Sequence, residues 1–372
     1  MIRAPFRADH VGSLLRPARL KEARSRYERG ELPPGELRAI EDDCIREAVR
    51  WQEDLGLEAV SDGEFRRSFY HVDFIARLKG VSTGGSVHRV NYQGGRRSLQ
   101  YDVPVPTVHG RLERRSSLPV EEIGFLRSIT SRTAKVCIPA PSMLHFGSGR
   151  GAVDAAAYPR MEEFFADLVR IYREELAALH AAGCRYVQID DPNIAFLCDP
   201  AQRQRMRALG ENADALPALY AGMIQDAIAG RPADLAVTVH VCRGNFSSTG
   251  AARGGYEAVA EAVFGRLRPD GFFLEFDDER SGGFEPLRFV PRGGPKVVLG
   301  LVSTKRPQLE RAEQLLERID QAARHIDLEQ LAISPQCGFS STHHGTDLTV
   351  DEQIAKLRLL CRTAARVWGS QS

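Results

Sequence analysis

The stretch His240-Val-Cys242-Arg-Gly-Asn245, at the end of the apolar run Leu235-Ala-Val-Thr-Val, decides the fold that we expect. An apolar run that ends in polar residues and is then broken by glycine and asparagine indicates a buried strand. Side chains alternate along a strand, so His240 and Cys242 leave the same face and can share one metal ion. Alone, the pair also fits a hydrogen-bonded core histidine beside a small buried cysteine.

Two later stretches strengthen the prediction of a metal site. Leu274-Glu275-Phe-Asp277-Asp278 and Ile333-Ser-Pro-Gln-Cys337-Gly338 also end apolar runs with potential ligands. One histidine, two cysteines and one glutamate form a tetrahedral set of the kind that zinc favours. The candidate ligands are therefore His240, Cys242, Glu275 and Cys337, and either Asp277 or Asp278 is an alternative to Glu275.

The whole chain repeats the order of apolar run, polar tip and helical segment. This alternation predicts an α/β fold, a parallel (β/α)8 TIM barrel in which residues 1–372 form a single catalytic unit. The polar tips of such strands meet at one rim, where barrels of this kind place their chemistry. The eight predicted strands end near the following residues: Ser13, Glu64, Ser142, Asp190, His240, Glu275, Ser303 and Cys337.

Residues 80–130 depart from this alternation. They are rich in glycine, arginine, tyrosine and valine, and they are too polar to build a core of their own. We expect a β-hairpin inserted after strand 2, which covers the mouth of the barrel and helps to select the donor substrate. In contrast, the apolar spacing from Met161 to Ala182 predicts an amphipathic helix that Gly183 ends.

Composition excludes several classes of partner. The 372 residues are 43% hydrophobic and 27% charged with a formal net charge of +1, which gives no reason to expect nucleic acid or an anionic membrane. No apolar run approaches the roughly 20 residues of a membrane span, and the N-terminus lacks the apolar core of a signal peptide. Seven scattered cysteines argue for reduced thiols. We expect a cytoplasmic protein that uses small molecules, and homo-oligomer formation is left open.

The predicted ligand set indicates the chemistry. Two thiolates and a carboxylate place about three negative charges around a divalent ion, which disfavours hydroxide formation and hydrolysis. Such an ion instead lowers the pKa of an incoming thiol and presents it as a nucleophile. Glu275 is the hardest of the four ligands and is the one that we expect to yield. Alkyl transfer to a thiol, most simply methyl transfer, is the predicted reaction.

These tips, taken in order, resemble the C-terminal catalytic domain of cobalamin-independent methionine synthase, in particular the short members with a single barrel. The resemblance runs from about residue 8 to Trp368 and rests on the following motifs: His10-Val-Gly-Ser13, Asp62-Gly63-Glu64, Gln188-Ile-Asp190-Asp191-Pro192, His240-Val-Cys242-x-x-Asn245, Leu274-Glu275 and Pro335-x-Cys337-Gly338.

The resemblance implies roles for single residues. The zinc ligands that it implies are His240, Cys242, Glu275 and Cys337. It also implies that the amino and carboxylate groups of homocysteine are held by three residues, which are Ser13, Glu64 and Asp190. Two local alternatives remain open, because Asp190 is also suited to cap the helix that follows it and Glu64 can pair with Arg66 or Arg67.

The chain departs from the family where the methyl donor binds. The family places a tryptophan after its third strand, where this chain has Ser142-Met-Leu-His145-Phe146, and Leu301-Val-Ser303-Thr304-Lys305 replaces the family's Asp-x-His-Ser-Pro. Folate transfer requires an acid and a flat stacking surface. We therefore expect methyltetrahydrofolate to be a poor donor or none, with a methylsulfonium or a methylated corrinoid in its place. The candidate donor-site residues are His145 and Ser303, and the candidate catalytic acids are His343 and His344.

Two other classes of function remain open. A metal-free barrel lyase or decarboxylase of the uroporphyrinogen decarboxylase type has the same predicted architecture, and metal analysis distinguishes it from a zinc enzyme. A non-catalytic module that binds zinc or a thiol is the third class. Thiol-dependent consumption of a methyl donor distinguishes the transferase from that module.

Overall fold

The structure, a computed structural model, describes residues 4–94, 97–245, 248–343 and 345–369. Its β-strands, in chain order, are β1 (Ala59–Val60), β2 (Leu78–Gly94), β3 (Arg97–Arg114), β4 (Thr133–Pro139), β5 (Tyr186–Asp190), β6 (Ala236–Val241), β7 (Gly271–Glu275), β8 (Lys296–Val302) and β9 (Leu331–Pro335).

Seven of these strands form one parallel sheet in the order β1-β4-β5-β6-β7-β8-β9. Neighbours in the sheet are therefore also successive parallel strands in the chain, as the alternation of strands and helices predicts. Strands β5, β6, β7 and β9 are buried along their whole length. Burial on both faces explains why they are continuous apolar runs in the sequence.

The first predicted strand is not a strand in the structure. The segment that precedes Ser13 makes a single parallel bridge, from Ala8 to Ile333 in β9. The Asp9 carboxylate accepts hydrogen bonds from the backbone N–H groups of Phe6 and His10. Such local bonds compete with a regular strand ladder, so the segment stays irregular although it occupies the sheet edge beside β9.

Helices occupy most of the segments between the strands. They are α1 (Ala18–Glu28), α2 (Pro34–Asp54), α3 (Val72–Ile75), α4 (Leu118–Ile129), α5 (Met161–Ala181), α6 (Pro192–Phe196), α7 (Pro200–Ala208), α8 (Leu216–Ile228), α9 (Glu257–Val263), α10 (Ala312–Ala323) and α11 (Val350–Trp368). Among the residues described, none of these helices is both long and apolar enough to cross a bilayer.

Helix α5 matches the predicted amphipathic helix to within one residue. It buries Phe164, Leu168, Ile171 and Leu179, which recur at helical spacing on one face. Helix α11 begins with a capping box, in which the Thr349 hydroxyl accepts from Glu352 N and the Glu352 carboxylate accepts from Thr349 N. Apolar faces and caps of this kind fix the helices on the sheet.

The predicted hairpin is present as the antiparallel pair β2–β3. It spans Leu78 to Arg114, and the rest of the predicted insertion contains helix α4, whose N-cap Ser117 accepts from Val120 N at 3.1 Å. That part of the prediction therefore extended too far along the chain, because α4 belongs to the alternating strand–helix pattern. The division of the chain into a single unit with this insertion stays a prediction.

The topology brings the polar strand ends together. Asp190 at the end of β5 is in register with His240 in β6, and Val241 is in register with Leu274 in β7. Glu275 ends β7, and Cys337 follows the end of β9 by two residues. Because parallel strands end at the same edge of a sheet, these side chains share one rim.

Candidate metal and thiol site

Three of the four predicted metal ligands converge. One ligand atom each of His240, Cys242 and Cys337 lies within 4.8 Å of the others, and all three side chains are buried. His240 and Cys242 extend from the same face at the end of β6, as the alternation along a strand predicts. We call these three residues the metal cluster.

The imidazole of His240 is oriented for metal binding. Its Nδ1 lies 3.3 Å from the Phe273 carbonyl oxygen, which accepts a hydrogen bond from this nitrogen in the neutral tautomer. Its Nε2 is buried and has no hydrogen-bond partner among the described residues. A buried nitrogen without a partner is costly in a folded protein, and a metal ion at Nε2 removes that cost.

The two cysteines of the metal cluster differ in their proton affinity. A hydrogen bond from the Cys337 thiol lowers the pKa of Cys242 well below its usual range, and the same bond raises the pKa of Cys337. Burial disfavours the imidazolium, but the Cys242 thiolate outweighs it and raises the pKa of His240. The site therefore stabilises a thiolate before any ligand is bound, and metal binding requires thiolates.

Glu275, the fourth predicted ligand, is engaged elsewhere. Its Oε1 accepts a hydrogen bond from Lys305 Nζ at 2.6 Å, and its Oε2 accepts one from the backbone N–H of Arg243 at 2.6 Å. Burial raises the pKa of a carboxylate, but Lys305 and Arg243 outweigh it and lower the pKa of Glu275 to about 2. The carboxylate is thus ionised and paired, outside the metal cluster.

A second group of three potential ligands lies on the same rim. Glu64, Cys137 and Asp190 each place one potential ligand atom within 4.8 Å of the others, and all three are buried. Ser13 is buried as well, and it lines the same cleft as Glu64 and Asp190. We call Ser13, Glu64 and Asp190 the acceptor group. A Cβ atom on Gly338 would lie 1.9 Å from Ser13 Oγ, so glycine is required beside this serine.

The two carboxyl groups of the acceptor group, those of Glu64 and Asp190, hold their protons more tightly than exposed carboxyl groups do. Burial raises the pKa of Glu64 to about 8, against the opposing effect of Arg67, and burial raises the pKa of Asp190 to about 6. Glu64 also has a φ of 57°, in the left-handed region that residues other than glycine rarely adopt. Perturbed pKa values and local backbone strain both concentrate at functional sites.

The structure also bears on the two local alternatives. Asp191, and not Asp190, caps α6 by accepting from Asn193 N at 3.0 Å and from Ile194 N at 3.3 Å. Arg67 approaches Glu64 at 3.6 Å, but its Nε donates to Glu122 at 3.0 Å. Asp190 therefore does not cap the helix. Glu64 lies beside an arginine and still lines the cleft.

Both groups open into one cleft of about 1230 Å³, counted out to its mouth. Beyond these groups the lining is mainly apolar and aromatic, and strand β3 of the hairpin contributes to it. The apolar and aromatic lining residues are Val11, Phe69, Tyr70, Val105, Pro106, Met143, Phe146, Pro192 and Phe196. Among the described residues, no lysine or arginine lines this cleft.

The predicted donor-site residues His145 and Ser303 do not line the cleft. His145 is buried, with Nδ1 2.9 Å from the Tyr220 hydroxyl and Nε2 3.3 Å from Glu211, while its neighbours Met143 and Phe146 reach the cleft. Ser303 is buried beside Glu310, which accepts from its backbone N–H at 2.9 Å. The roles of these residues stay predictions.

Of the two predicted catalytic histidines, one lies within the described residues. His343 is exposed, and its ring lies edge-on to Phe69, with the ring centroids 5.5 Å apart. His344 lies outside the described residues. His343 therefore adjoins an aromatic residue of the cleft without lining it, and its catalytic role also stays a prediction.

Three features of the site were missed by the sequence analysis. They are the ion pair between Lys305 and Glu275, the aromatic pair Phe69 and Tyr70 after β1, and the buried His71, whose pKa burial lowers to about 4. The sequence indicated the aromatic residues, because Phe69-Tyr70-His71 comes after the polar tip that contains Glu64. It did not indicate the ion pair, since this pair joins residues 30 positions apart.

Comparison with known proteins agrees with this geometry. The family profile described as "Cobalamin-independent synthase, Catalytic domain" matches residues 6–366. The Bacillus subtilis (strain 168) protein "Uncharacterized protein YxjH" is 44% identical over 370 residues, which are 98% of this chain and 96% of that one. A Pyrococcus abyssi "Methionine synthase" is 26% identical, over 88% of this chain and 84% of its own.

Solved structures show the same relationship. A Listeria monocytogenes protein, provisionally assigned as a vitamin-B12-independent methionine synthase, is 35% identical with a TM-score of 0.80, and each chain is covered completely. A B12-independent methionine synthase from Shewanella sp. W3-18-1, solved in complex with selenomethionine, is 25% identical with a TM-score of 0.72 over 97% of both chains. The resemblance inferred from the polar strand tips is confirmed: this chain belongs to the family of cobalamin-independent synthase catalytic domains.

Proposed function

We propose that this protein is a zinc-dependent methyltransferase that methylates a thiol such as homocysteine. The observation that carries the proposal is the metal cluster, in which two cysteines and a histidine with an unpartnered Nε2 meet at the floor of a buried cleft. Family membership supports methyl transfer as the reaction type. Membership of this family does not favour the alternative of a metal-free barrel decarboxylase.

The residues of the metal cluster fit zinc. Thiolate and imidazole are the ligands that this borderline-soft ion favours, and the Nδ1 contact with the Phe273 carbonyl leaves Nε2 as the coordinating atom. His240, Cys242 and Cys337 would hold the ion, with Glu275 as the fourth ligand that yields to the acceptor. Bound zinc supplies a lowered pKa for an acceptor thiol, which is then a thiolate at neutral pH.

The acceptor group is suited to the amino acid part of homocysteine. Glu64 and Asp190 are buried carboxyl groups that line the cleft, and they can accept hydrogen bonds from an α-ammonium group. Pairing with that cation favours their ionised forms and removes the cost of their burial. Ser13 adds a hydroxyl donor for the carboxylate. These contacts would point the thiol of the substrate toward the metal cluster.

The aromatic part of the cleft favours a methyl donor that is not a folate. Polyglutamyl folates are strongly anionic, and no lysine or arginine among the described residues lines the cleft. Burial lowers the pKa of the cleft residue His71 to about 4, so this imidazole is neutral at pH 7 and a poor acid for a folate nitrogen. Aromatic faces such as those of Phe69, Tyr70, Phe146 and Phe196 attract a sulfonium cation instead.

With such a donor the reaction balances without a further reagent. The acceptor thiol releases one proton on binding, its sulfur forms the new bond to the methyl carbon, and the bond from that carbon to the donor sulfur breaks. The electron pair of the broken bond leaves with the donor, which becomes a neutral thioether. The opposite charges of thiolate and sulfonium cancel in the products, so a dry cleft favours the transfer.

We also propose that the segment around Ala8 closes the seven-stranded sheet into a barrel as its eighth member. It bridges to β9 at Ile333 on one side. On the other side Leu14 N donates to the Gly63 carbonyl at 3.1 Å, just beyond the end of β1. A closed barrel places the metal cluster and the acceptor group at one mouth.

The proposed function is tested by supplying zinc-loaded protein with homocysteine and one donor at a time. The donors are methyltetrahydrofolate as mono- and triglutamate, S-methylmethionine, dimethylsulfoniopropionate and methylcobalamin. We expect methionine from a sulfonium or corrinoid donor and little from folate. Efficient turnover of folate alone would contradict the donor assignment, and protein that binds neither zinc nor homocysteine would contradict the proposal as a whole.

A further inference from the structure

The buried carboxylate of Glu275 is fully paired away from the metal cluster. Lys305 Nζ and the Arg243 backbone N–H each donate to one of its oxygens at 2.6 Å. The side chain of Glu275 is 0% exposed and that of Lys305 is 8% exposed. Arg243 and Arg280 add positive charge 3.8 and 3.7 Å away, so the negative charge of Glu275 is well compensated.

The same carboxylate also borders the metal cluster. Arg243, whose backbone N–H holds Glu275, follows Cys242 directly in the chain, and Val241 before Cys242 is in register with Leu274 before Glu275. An ion held by the metal cluster would therefore be a second source of positive charge for Glu275, beside the ammonium group of Lys305.

We propose that Lys305 is a positioning residue that holds Glu275 in a buried ion pair and so competes with a bound metal ion for this carboxylate. The inference rests on the proposed function, since it presumes that His240, Cys242 and Cys337 hold the ion. Lys305 then determines how much Glu275 contributes to the metal affinity. It also determines how readily the fourth coordination position becomes available to a thiol.

The physical reason is the cost of a buried, unpaired carboxylate. A carboxylate that leaves a metal ion inside a protein loses a cation, and its burial is then strongly unfavourable unless another cation receives it. Lys305 supplies that cation at the end of β8, in the Leu301-Val-Ser303-Thr304-Lys305 stretch where the sequence departs from the family motif. With Lys305 beside it, Glu275 would give up a metal contact without becoming an unpaired buried charge.

A purely structural ion pair would have the same geometry, so the test measures metal and thiol affinity. The variants are Lys305→Met, Glu275→Gln and the double variant. Lys356→Met is the matched control, because Lys356 is another buried lysine that pairs with a glutamate, Glu310, at 3.0 Å. Zinc affinity is measured by competition with a chromogenic chelator, and homocysteine affinity by calorimetry on the zinc-loaded proteins.

We expect Lys305→Met to bind zinc about tenfold more tightly and homocysteine about tenfold more weakly. Arg243 and Arg280 stay 3.8 and 3.7 Å away, so a bound metal ion would become the nearest cation to Glu275 once the 2.6 Å contact with Lys305 is lost. Glu275→Gln should keep the zinc affinity of the native protein within about threefold, and the double variant should match Glu275→Gln. Lys356→Met should match the native protein in both affinities.

Equal zinc and homocysteine affinities in Lys305→Met and the native protein would overturn the proposal. So would a Glu275→Gln variant that loses zinc as completely as a variant without Cys337, because Glu275 would then be a permanent ligand. If Lys305→Met does not fold, Glu275→Gln decides alone. Failure of the proposed function gives a different result, namely zinc binding that does not depend on Cys242 and Cys337.

Discussion

The metal cluster and the group formed by Glu64, Cys137 and Asp190 each bring three potential metal-ligand atoms within 4.8 Å of one another, and both are buried. The two groups differ in whether their potential ligand atoms already have hydrogen-bond partners. The Cys137 thiol donates to the Val11 carbonyl at 2.9 Å, and burial raises its pKa well above the usual range. His240 instead has an unpartnered Nε2, and Cys242 favours the thiolate.

This comparison shows that residue types and distances alone do not define a metal site. A metal ion needs ligands that are deprotonated and not already engaged by backbone groups. In the metal cluster Cys242 already favours the thiolate, and Nε2 of His240 is not engaged by a backbone group. In the second group the Cys137 thiol is engaged by a backbone carbonyl and Glu64 holds its proton tightly, which suits that group better to the polar part of a substrate.

The largest effect is expected on zinc content. Cys242→Ser and Cys337→Ser should each weaken zinc binding by at least about 100-fold, because a neutral hydroxyl replaces a thiolate ligand. Cys137→Ser is the matched control and should keep about one zinc per chain. Elemental analysis of the purified variants measures this, and full zinc in either of the first two would contradict the assignment of the metal cluster.

The second effect concerns the acceptor. Asp190→Asn should weaken homocysteine binding by about 10- to 100-fold, the size expected when a charged hydrogen bond is lost, while zinc content stays unchanged. Calorimetric titration of the zinc-loaded protein measures it. Asp191→Asn is not a suitable control because Asp191 caps α6, so Glu310→Gln is used, a largely buried carboxylate that does not line the cleft. Unchanged homocysteine affinity in Asp190→Asn would contradict the role of the acceptor group.

The third effect is a pH dependence of stability. Burial raises the pKa of Glu64 from its ordinary value of 4.5 to about 8, so the folded protein binds this proton more tightly than the unfolded chain does. Its contribution to stability is complete below pH 4.5 and is lost as the pH rises through about 8, on the order of a few kcal/mol. Urea unfolding at pH 6 and pH 9 should therefore show a smaller loss in Glu64→Gln than in the native protein. An identical loss in both would exclude the raised pKa.

The smallest effect is expected at the hairpin. Val105 of β3 lines the cleft, and its side chain approaches to 3.3 Å from where a Cβ of Gly147 would lie. Val105→Ala should raise the KM for the methyl donor about threefold through lost apolar contact, with unchanged zinc content and homocysteine affinity. Steady-state kinetics with each substrate varied in turn measures it. If only the KM for homocysteine changes, the hairpin does not serve the donor.

Much of the fold and part of the site could be predicted from the sequence, for physical reasons. Apolar runs with polar tips predict parallel strands because both faces of such strands are buried, and seven of the eight predicted strands are present. The first strand was not predictable in this way. The Asp9 carboxylate satisfies backbone N–H groups locally, and this competition cannot be seen in an apolar pattern.

The site was predicted unevenly for the same kind of reason. His240 and Cys242 follow from alternation within one strand, and Cys337 follows from the common rim. The position of Glu275 depends on Lys305, a long-range partner that no local pattern indicates. His145 and Phe146 are neighbours in the chain, but the short helix at Pro141–Leu144 turns Phe146 toward the cleft and His145 toward Tyr220.

Zinc-edge X-ray absorption on the native protein, before and after the addition of homocysteine, tests most directly whether the metal cluster receives the acceptor thiol. We expect two sulfur ligands with nitrogen or oxygen in the remaining positions before addition, and three sulfur ligands afterwards. Sulfur coordination that does not change with homocysteine would show that the cluster of His240, Cys242 and Cys337 does not receive the acceptor thiol. That result would contradict thiol activation by zinc even if the protein binds the ion.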